Sequence, residues 1–510
     1  MISRILGLVR DIVCLRYFGA VVWHYFTLGF MIPNLFRRLF GEGALTAALI
    51  PIYTETLHRD PQAAKHLVRS VVALLFLILT GLTLLGILCI FLMTRIASDG
   101  KTLLTLNLAM IMLPYMILVC LTATLSGILH VHRHFAAPAA TPIVLNCCII
   151  GSVLFFKGLW GDNPWHQIYG VGFSVLLAGL LQLAIQVPPL WRAGVSLSPR
   201  FLFGDESLKK VMRLMMPMMI GMSVIQFNVL FDSLIAYCLS ATDDAHTSFT
   251  FLGHTIAYPV REGSLSYLYL SQRLYQLPLG VFGLALATAI FPLLSRFAVE
   301  KKTGEFAATL AQGIRLVIFI ALPATVGLIL VARPLITVCF ELGDSNFTTF
   351  DTEQTAWTLS FYALGLTAYC LQQLVVRAYY SHQDAVTPVK VALWVVGVNL
   401  ILNLILIWPL GTGGLGLATV IGATTQVTIL MVLLVRRHHL HFQHGILTCL
   451  YKSIVSTTLM TVGCLLILRV IHLESAMAEL GVILLSALTI YGISSRMLKC
   501  NEFRSLLRKS

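Results

Sequence analysis

The sequence is poor in charge. Only 11% of its 510 residues are Asp, Glu, Lys or Arg, against about 25% in a soluble domain. With 58% hydrophobic residues and a mean hydropathy of +0.87, the chain cannot cover itself with a water-facing surface, which excludes a soluble globular enzyme. Acid is scarcer than base, 22 residues against 35, giving a formal charge of +13. The bases sit in short links between apolar runs, or inside the runs, which is the bias of a membrane protein and not a nucleic-acid surface. No C-x-x-C pair occurs among the eleven cysteines. Cys147 and Cys148, and likewise Cys89, Cys120, Cys370 and Cys464, lie in apolar runs as packing residues, so neither a disulfide framework nor a zinc site is expected. Also absent are a nucleophile with an adjacent base, paired catalytic carboxylates and a glycine-rich phosphate loop. His130, His132 and His134, and His438, His439, His441 and His444, fall in basic links and read as solvated clusters. The opening M-I-S-R-I-L-G-L-V-R-D is too charged for a cleavable signal and reads as a first span entered late, with its true start expected upstream.

What remains is apolar length. Runs fall near 1–22, 25–53, 67–94, 103–129, 139–156, 166–191, 211–240, 265–294, 307–340, 355–379, 388–408, 414–435, 447–470 and 476–495. A spanning helix needs roughly 20 apolar residues. Lipid offers no partner to open backbone, so the spans are helical. The basic links alternate with weaker or acidic ones such as Glu341 to Glu353, which places both termini in the cytoplasm. The chain also repeats itself. Pro33 to Pro51 and Pro278 to Pro292 both read as Pro, small residues, Pro, with starts 245 residues apart. Thr141-Pro142 and Thr387-Pro388 lie 246 apart. The expected architecture is an all-α polytopic membrane protein of about fourteen helices. Two pseudo-symmetric six-helix lobes, residues 1–200 and 201–440, precede two C-terminal helices and a basic tail in 441–510. Repeated halves around a midplane site are a transporter signature.

Charges inside the runs carry the chemistry. Arg4, Arg10, Arg37, Arg38 and Arg273 lie in or beside apolar helices. An Arg at mid-bilayer costs about 2.5–3.5 kcal/mol on insertion scales, so these side chains should face a wet cavity or an anionic partner; for Arg16 and Arg38, snorkelling to headgroups is the simpler account. Ser3 and Arg10, seven apart, share a helix face. Guanidinium pairs with phosphate oxygens, so a cationic cavity at a repeat interface suggests a phosphorylated substrate. Asp232 falls within the seventh run, Asn399 and Asn403 share a face of a later one, and Thr419 follows in the next. These four offer oxygens for a monovalent coupling cation, sodium or proton, or else a hydrogen-bonded acid packing helices.

The stretches S-R-I-L-G-L-V-R-D and P-N-L-F-R-R-L-F-G-E-G-A resemble the amino-terminal signature of the MurJ (MviN) lipid II flippases. So do H-F-A-A-P-A-A-T-P-I-V-L-N at 134–146, Q-R-L-Y-Q-L-P-L-G-V-F-G-L-A-L at 272–286 and Y-S-H-Q-D-A-V-T-P-V-K at 380–390. The resemblance covers essentially the whole chain. It implies a two-lobed fold of the multidrug/oligosaccharidyl-lipid/polysaccharide exporter superfamily in the bacterial inner membrane. It further implies lipid II as substrate, Arg4, Arg10, Arg37 and Arg273 as cavity residues with Ser3 and Asn34 beside them, no cofactor, and cell-wall synthesis machinery and membrane lipids as partners. Three features depart from the family: His24 stands where Asp is common, Gln272 and Gln276 where acids are frequent, and Gln373 where Lys is frequent. An insertion of about twenty residues lies between 240 and 263. Two rivals remain open at this point: export of drugs or of another polyprenyl-linked glycan, which for drugs should favour acidic cavity residues, and a membrane glycosyltransferase, for which only the acidic link 341–353 could supply carboxylates.

Overall fold

A computed structural model describes residues 2–37, 44–97, 99–155, 163–195, 206–241, 247–251, 254–440, 445–471, 473 and 475–503, with backbone alone at 2, 44–47, 206, 216–225 and 251. Arg38, His441 and His444 lie outside these residues. The helices are α1 (Ile2–Phe36), α2 (Ala44–Arg59), α3 (Pro61–Ile96), α4 (Gly100–Met112), α5 (Tyr115–Val131), α6 (Ala136–Phe155), α7 (Pro164–Arg192) and α8 (Glu206–Cys238). They continue as α9 (Ser264–Pro278), α10 (Ala285–Val299), α11 (Thr303–Ile336), α12 (Thr349–Leu364), α13 (Leu366–Ser381), α14 (Val386–Leu410), α15 (Thr412–His438), α16 (Ile446–Val470) and α17 (Ala476–Met497).

Local chemistry sets many helix starts. Asp60 accepts from the Gln62 N–H with Pro61 in the first turn, Asp99 accepts from Thr102, and Asn163 accepts from Trp165 ahead of Pro164. Each supplies an acceptor to N–H groups that have no partner inside the helix. Thr348 and Asp351 form a reciprocal capping box at α12. Breaks have local causes as well. Pro114 separates α4 from α5, and Gly365 separates α12 from α13, which are bent by 42°. One turn of π-helix, Leu279–Leu284, joins α9 to α10.

Among the described residues, ten helical stretches are long and apolar enough to cross a membrane, or eleven if the bent α12–α13 pair is one span. The two arms of α1, the second followed in the chain by α2, do not enter that count, and neither does α8. The first arm of α1 carries Arg4, Arg10, Asp11 and Arg16, and α8 carries Lys209, Lys210, Arg213 and Asp232. With these segments the helices are consistent with the fourteen apolar runs. The limits expected for the first two runs need correction. Gly19, at φ 69° and ψ 175°, divides α1 near its middle, so the first run ends there and the second begins at residue 20. The insertion is the other departure from an all-helical reading. Ser248–Phe251 and His254–Ala257 form an antiparallel hairpin with Phe249 opposite Ile256, as alternating Thr, Phe and Ile favour.

The described residues form two compact units. Unit 1 comprises Met1–Leu230 with Ser345–Phe347, and unit 2 comprises Phe231–Asp344 with Thr348–Ser510. The core of unit 2 gathers Leu294, Phe306, Leu310, Leu374, Leu430 and Leu434, all buried. In unit 1, Leu67, Leu79, Leu108 and Tyr115 are fully buried. The two units repeat one elbow. A non-glycine residue takes positive φ between α5 and α6 (Arg133, 58°) and again between α13 and α14 (Gln383, 59°).

Candidate functional site

The polar centre of unit 1 is built on α1 and α6. Arg10 is 8% exposed and Asp11 is fully buried. The Arg10 guanidinium donates from Nε (3.0 Å) and Nη2 (2.5 Å) to Oδ1 of Asp11. Its Nη1 donates to Oδ1 of Asn146 at 3.2 Å. The Asn146 amide donates in turn to the Ser3 carbonyl at 3.2 Å. Ser3 and Arg10 therefore meet one residue of α6, as their shared helix face requires. Both are held by Asn146, which closes the 134–146 motif but was not singled out as a site residue. Asp11 was also missed as a partner, although adjacency to Arg10 is a visible signal: a buried guanidinium needs a nearby anion.

Arg4 is exposed. Arg37 is half-buried and donates from Nε to Oδ1 of Asn34 at 3.0 Å, so those two predicted residues lie together at the end of the second arm. His24 is 1% exposed, with its ring 5.0 Å from that of Tyr25. Arg273 belongs to unit 2, half-buried on α9.

Unit 2 contains the predicted oxygen cluster. Asp232, Asn399 and Asn403 are 2%, 3% and 0% exposed. The Asn403 amide nitrogen donates to Oδ1 of Asp232 at 2.5 Å and to Oδ1 of Asn399 at 3.0 Å. Oδ1 of Asn403 is buried with no hydrogen-bond partner among the described residues. Thr419 turns its hydroxyl to the Leu415 carbonyl at 2.9 Å, and Tyr362 interacts with it. Three of the four predicted residues thus converge, and Thr419 meets Leu415 and Tyr362 instead. An aromatic shelf adjoins this cluster, with Tyr275 stacked on Tyr362 at 5.2 Å and against Tyr369 at 5.1 Å. Gln272 donates to the Tyr362 hydroxyl at 3.2 Å. No periodic pattern along the chain announces this shelf, whose rings come from α9, α12 and α13.

The orphaned Asn403 oxygen bears on what could bind. An amide that turns over exchanges its NH₂ for its oxygen. Asp232, Asn399 and Asn403 would then present three oxygens to one point, a donor set suited to a hard cation. No group of three or more His, Cys, Asp or Glu side chains placed to hold a metal occurs among the described residues.

Outside the spans, Asp384 caps α14 through the N–H groups of Val386 (3.1 Å) and Thr387 (2.9 Å) and accepts from Arg437 at 2.6 Å. Partial burial alone would raise its carboxyl, but the bonds from Thr387 and the Arg437 charge outweigh it and hold the group below the usual range.

Comparison with known proteins places this architecture. The family model described as lipid II flippase MurJ matches residues 15–486. The probable lipid II flippase MurJ of Vibrio cholerae is 35% identical over 445 residues, covering 84% of this chain and 80% of that protein. The probable lipid II flippase MurJ of Rickettsia prowazekii is 32% identical over 472 residues, covering 90% and 87%. A solved lipid II flippase MurJ in an inward closed conformation shares the fold at TM-score 0.79 and 24% identity, over 99% of this chain and 98% of that one. An inward-facing multidrug-resistance MATE transporter of the MOP superfamily follows at TM-score 0.66 and 13% identity, over 86% and 94%. Multi-pass helical architecture, the arginine-bearing first helix and a family match across most of the chain agree: this protein belongs to the lipid II flippase MurJ family, whose members are transporters and not enzymes.

Proposed function

We propose that this chain moves lipid II from the inner to the outer leaflet of the cytoplasmic membrane by alternating access, with the arginines of α1 serving the diphosphate headgroup. The observation that carries the reading is Arg10: a guanidinium buried in an apolar helix, oriented by Asp11 and Asn146. An ion pair there costs more to bury than apolar packing would, so retaining it favours a task for the charge. Asp11 leaves the pair neutral, and Arg4, Arg16 and Arg37 make the arms of α1 net positive. Paired guanidinium donors match phosphate oxygens. Arg273 is proposed as a further cation for the headgroup, and Ser3 and Asn34 as the residues that set Arg10 and Arg37.

The energy source follows from charge. An inside-negative potential is worth about 2.3 kcal/mol per charge per 100 mV. It draws an unloaded cationic site toward the cytoplasm, and a bound diphosphate cancels that pull. Asp232, Asn399 and Asn403, with Thr419 nearby, are the residues proposed to hold a monovalent cation, whose charge would balance Asp232. Cytoplasmic termini and cell-wall synthesis enzymes as partners belong to the same proposal, supported by the alternation of basic links and by the origin of the substrate.

Depletion with rescue tests this reading. Cells lacking the protein should accumulate inward-facing lipid II and recover with the wild-type chain. Neither Arg10→Ala nor Arg273→Ala should rescue at normal expression. Arg4→Ala, which removes an exposed charge, separates loss of charge from loss of fold and should rescue poorly. Full rescue by all three would overturn the proposal.

A further inference from the structure

The last four carbonyls of a helix have no partner within it. The arginine-bearing arm of α1 ends at Gly19, whose φ of 69° and ψ of 175° stop the helix abruptly. Two of the carbonyls released by that break are taken by a single residue far along the chain. The Asn346 backbone N–H donates to the Arg16 carbonyl at 2.8 Å. The Asn346 side-chain amide donates to the Tyr17 carbonyl at 2.5 Å. A Cβ on residue 19 would lie 2.7 Å from the Asn346 carbonyl oxygen. Glycine is therefore required there twice, for its backbone angle and for the approach of Asn346. Phe347 is 1% exposed and anchors the segment, and its N–H donates to the Ser345 hydroxyl at 3.1 Å. Residues 345–347 belong to unit 1, as α1 does, although the chain on either side of them belongs to unit 2.

We propose that Asn346 is a positioning residue for substrate binding: it caps the arginine-bearing arm from outside and fixes its rotation and height, and so the place where Arg10 meets Asn146. The arm is held at two points. Asn146 holds Ser3 at its start and Arg10 at its middle, and Asn346 holds its end, about 10 Å beyond Arg10 at 1.5 Å per residue. A rod pinned at one end can turn about that pin, and a second pin removes the freedom. Asn suits the second pin because it donates from both backbone and side chain. An isosteric Asp keeps the shape and loses the side-chain donor. Asn346 is itself exposed, so changing it empties no core. The assignment rests on the reading that Arg10 serves the lipid II diphosphate.

The test is equilibrium binding of lipid II to the purified full-length protein, with thermal unfolding measured on the same samples. Asn346→Asp and Asn346→Ala should each weaken binding on the order of three- to tenfold, the value of one net hydrogen bond, while the unfolding midpoint stays within a few degrees. Asn346→Gln, which restores a donor, should recover part of the loss. The decisive arm is a double-mutant cycle. In an Arg10→Ala background, Asn346→Asp should weaken binding no further. Undiminished loss in that background, or no loss in the wild-type background, would overturn the assignment while leaving the role of Arg10 intact. Unchanged binding by Arg10→Ala alone would instead bring down the diphosphate reading, and the role of Asn346 with it.

Discussion

Both units bury a polar network in apolar helices, and they satisfy it in opposite ways. In unit 1 a cation, Arg10, is answered by a full negative charge on its neighbour Asp11 and by one amide, Asn146. In unit 2 an acid, Asp232, is answered among the described residues by the neutral Asn403 amide, which it shares with Asn399. The first network is complete in charge as it stands. The second has an acid whose hydrogen-bond donor is a neutral amide and an amide oxygen with no hydrogen-bond partner among the described residues. Unit 1 thus pairs its buried charge with an opposite one, whereas unit 2 pairs its acid with amides. Solvent supplies a third case. Arg437 and Asp384 form an equally short pair at 2.6 Å, but their side chains are 61% and 21% exposed, so water does much of the work that Asp11 must do for Arg10.

The comparison can be broken most severely at Asp11. Asp11→Asn leaves the Arg10 guanidinium buried against neutral groups, and removing one partner of a buried ion pair costs about 3–5 kcal/mol. Thermal unfolding in detergent should fall accordingly, and an unchanged midpoint would show that the pair is not isolated from water. A sharper arm converts unit 2 toward a charged network. Asn403→Asp sets two carboxylates at bonding distance and removes the amide donor, costing about 2 kcal/mol without a cation. Sodium should restore stability in proportion to RT ln(1 + [Na⁺]/Kd), while the parent chain responds less; equal responses would remove the cluster from consideration as a cation site.

Gly19→Ala attacks the end of the arm that carries the unit 1 network. A side chain at that backbone angle costs about 1–3 kcal/mol, and the approach of Asn346 adds to it. Trypsin or hydrogen exchange at residues 16–20 should report loosening there before global unfolding. The smallest effect is expected at the exposed pair. Asp384→Asn keeps a capping oxygen and loses the charge that faces Arg437, so it should cost at most about 1 kcal/mol, the value of an exposed ion pair. Because its carboxyl is held low in the native state, its contribution is complete above the unfolded carboxylate value of about 3.9. It is lost as pH falls through the lower native value. A pH series of unfolding midpoints should therefore lose part of its acid limb in Asp384→Asn.

Much of this was legible in the linear chain. Apolar length announced the spans because lipid leaves helices as the only way to pair the backbone. Arg4, Arg10, Arg37 and Asp232 stood out because charge inside such runs is costly. The first two spans were misplaced because their boundary is a single glycine angle at Gly19, and hydropathy averages over a residue that keeps both neighbours apolar. The hairpin in the insertion escaped because four-residue strands leave little periodicity.

What the sequence determined alone is the medium and the ingredients. Composition requires a bilayer, the positions of charge name the costly residues, and spacing puts Ser3 and Arg10 on one face. What the tertiary structure decided is which partner answers each charge. Asn146 reaches Arg10 across 136 positions, Asn403 reaches Asp232 across 171, and Asn346 reaches Tyr17 across 329. The physical reason is that hydropathy and helical period act along the chain, whereas a buried donor or acceptor must find its complement within about 3 Å, a condition set only when helices distant in sequence have packed.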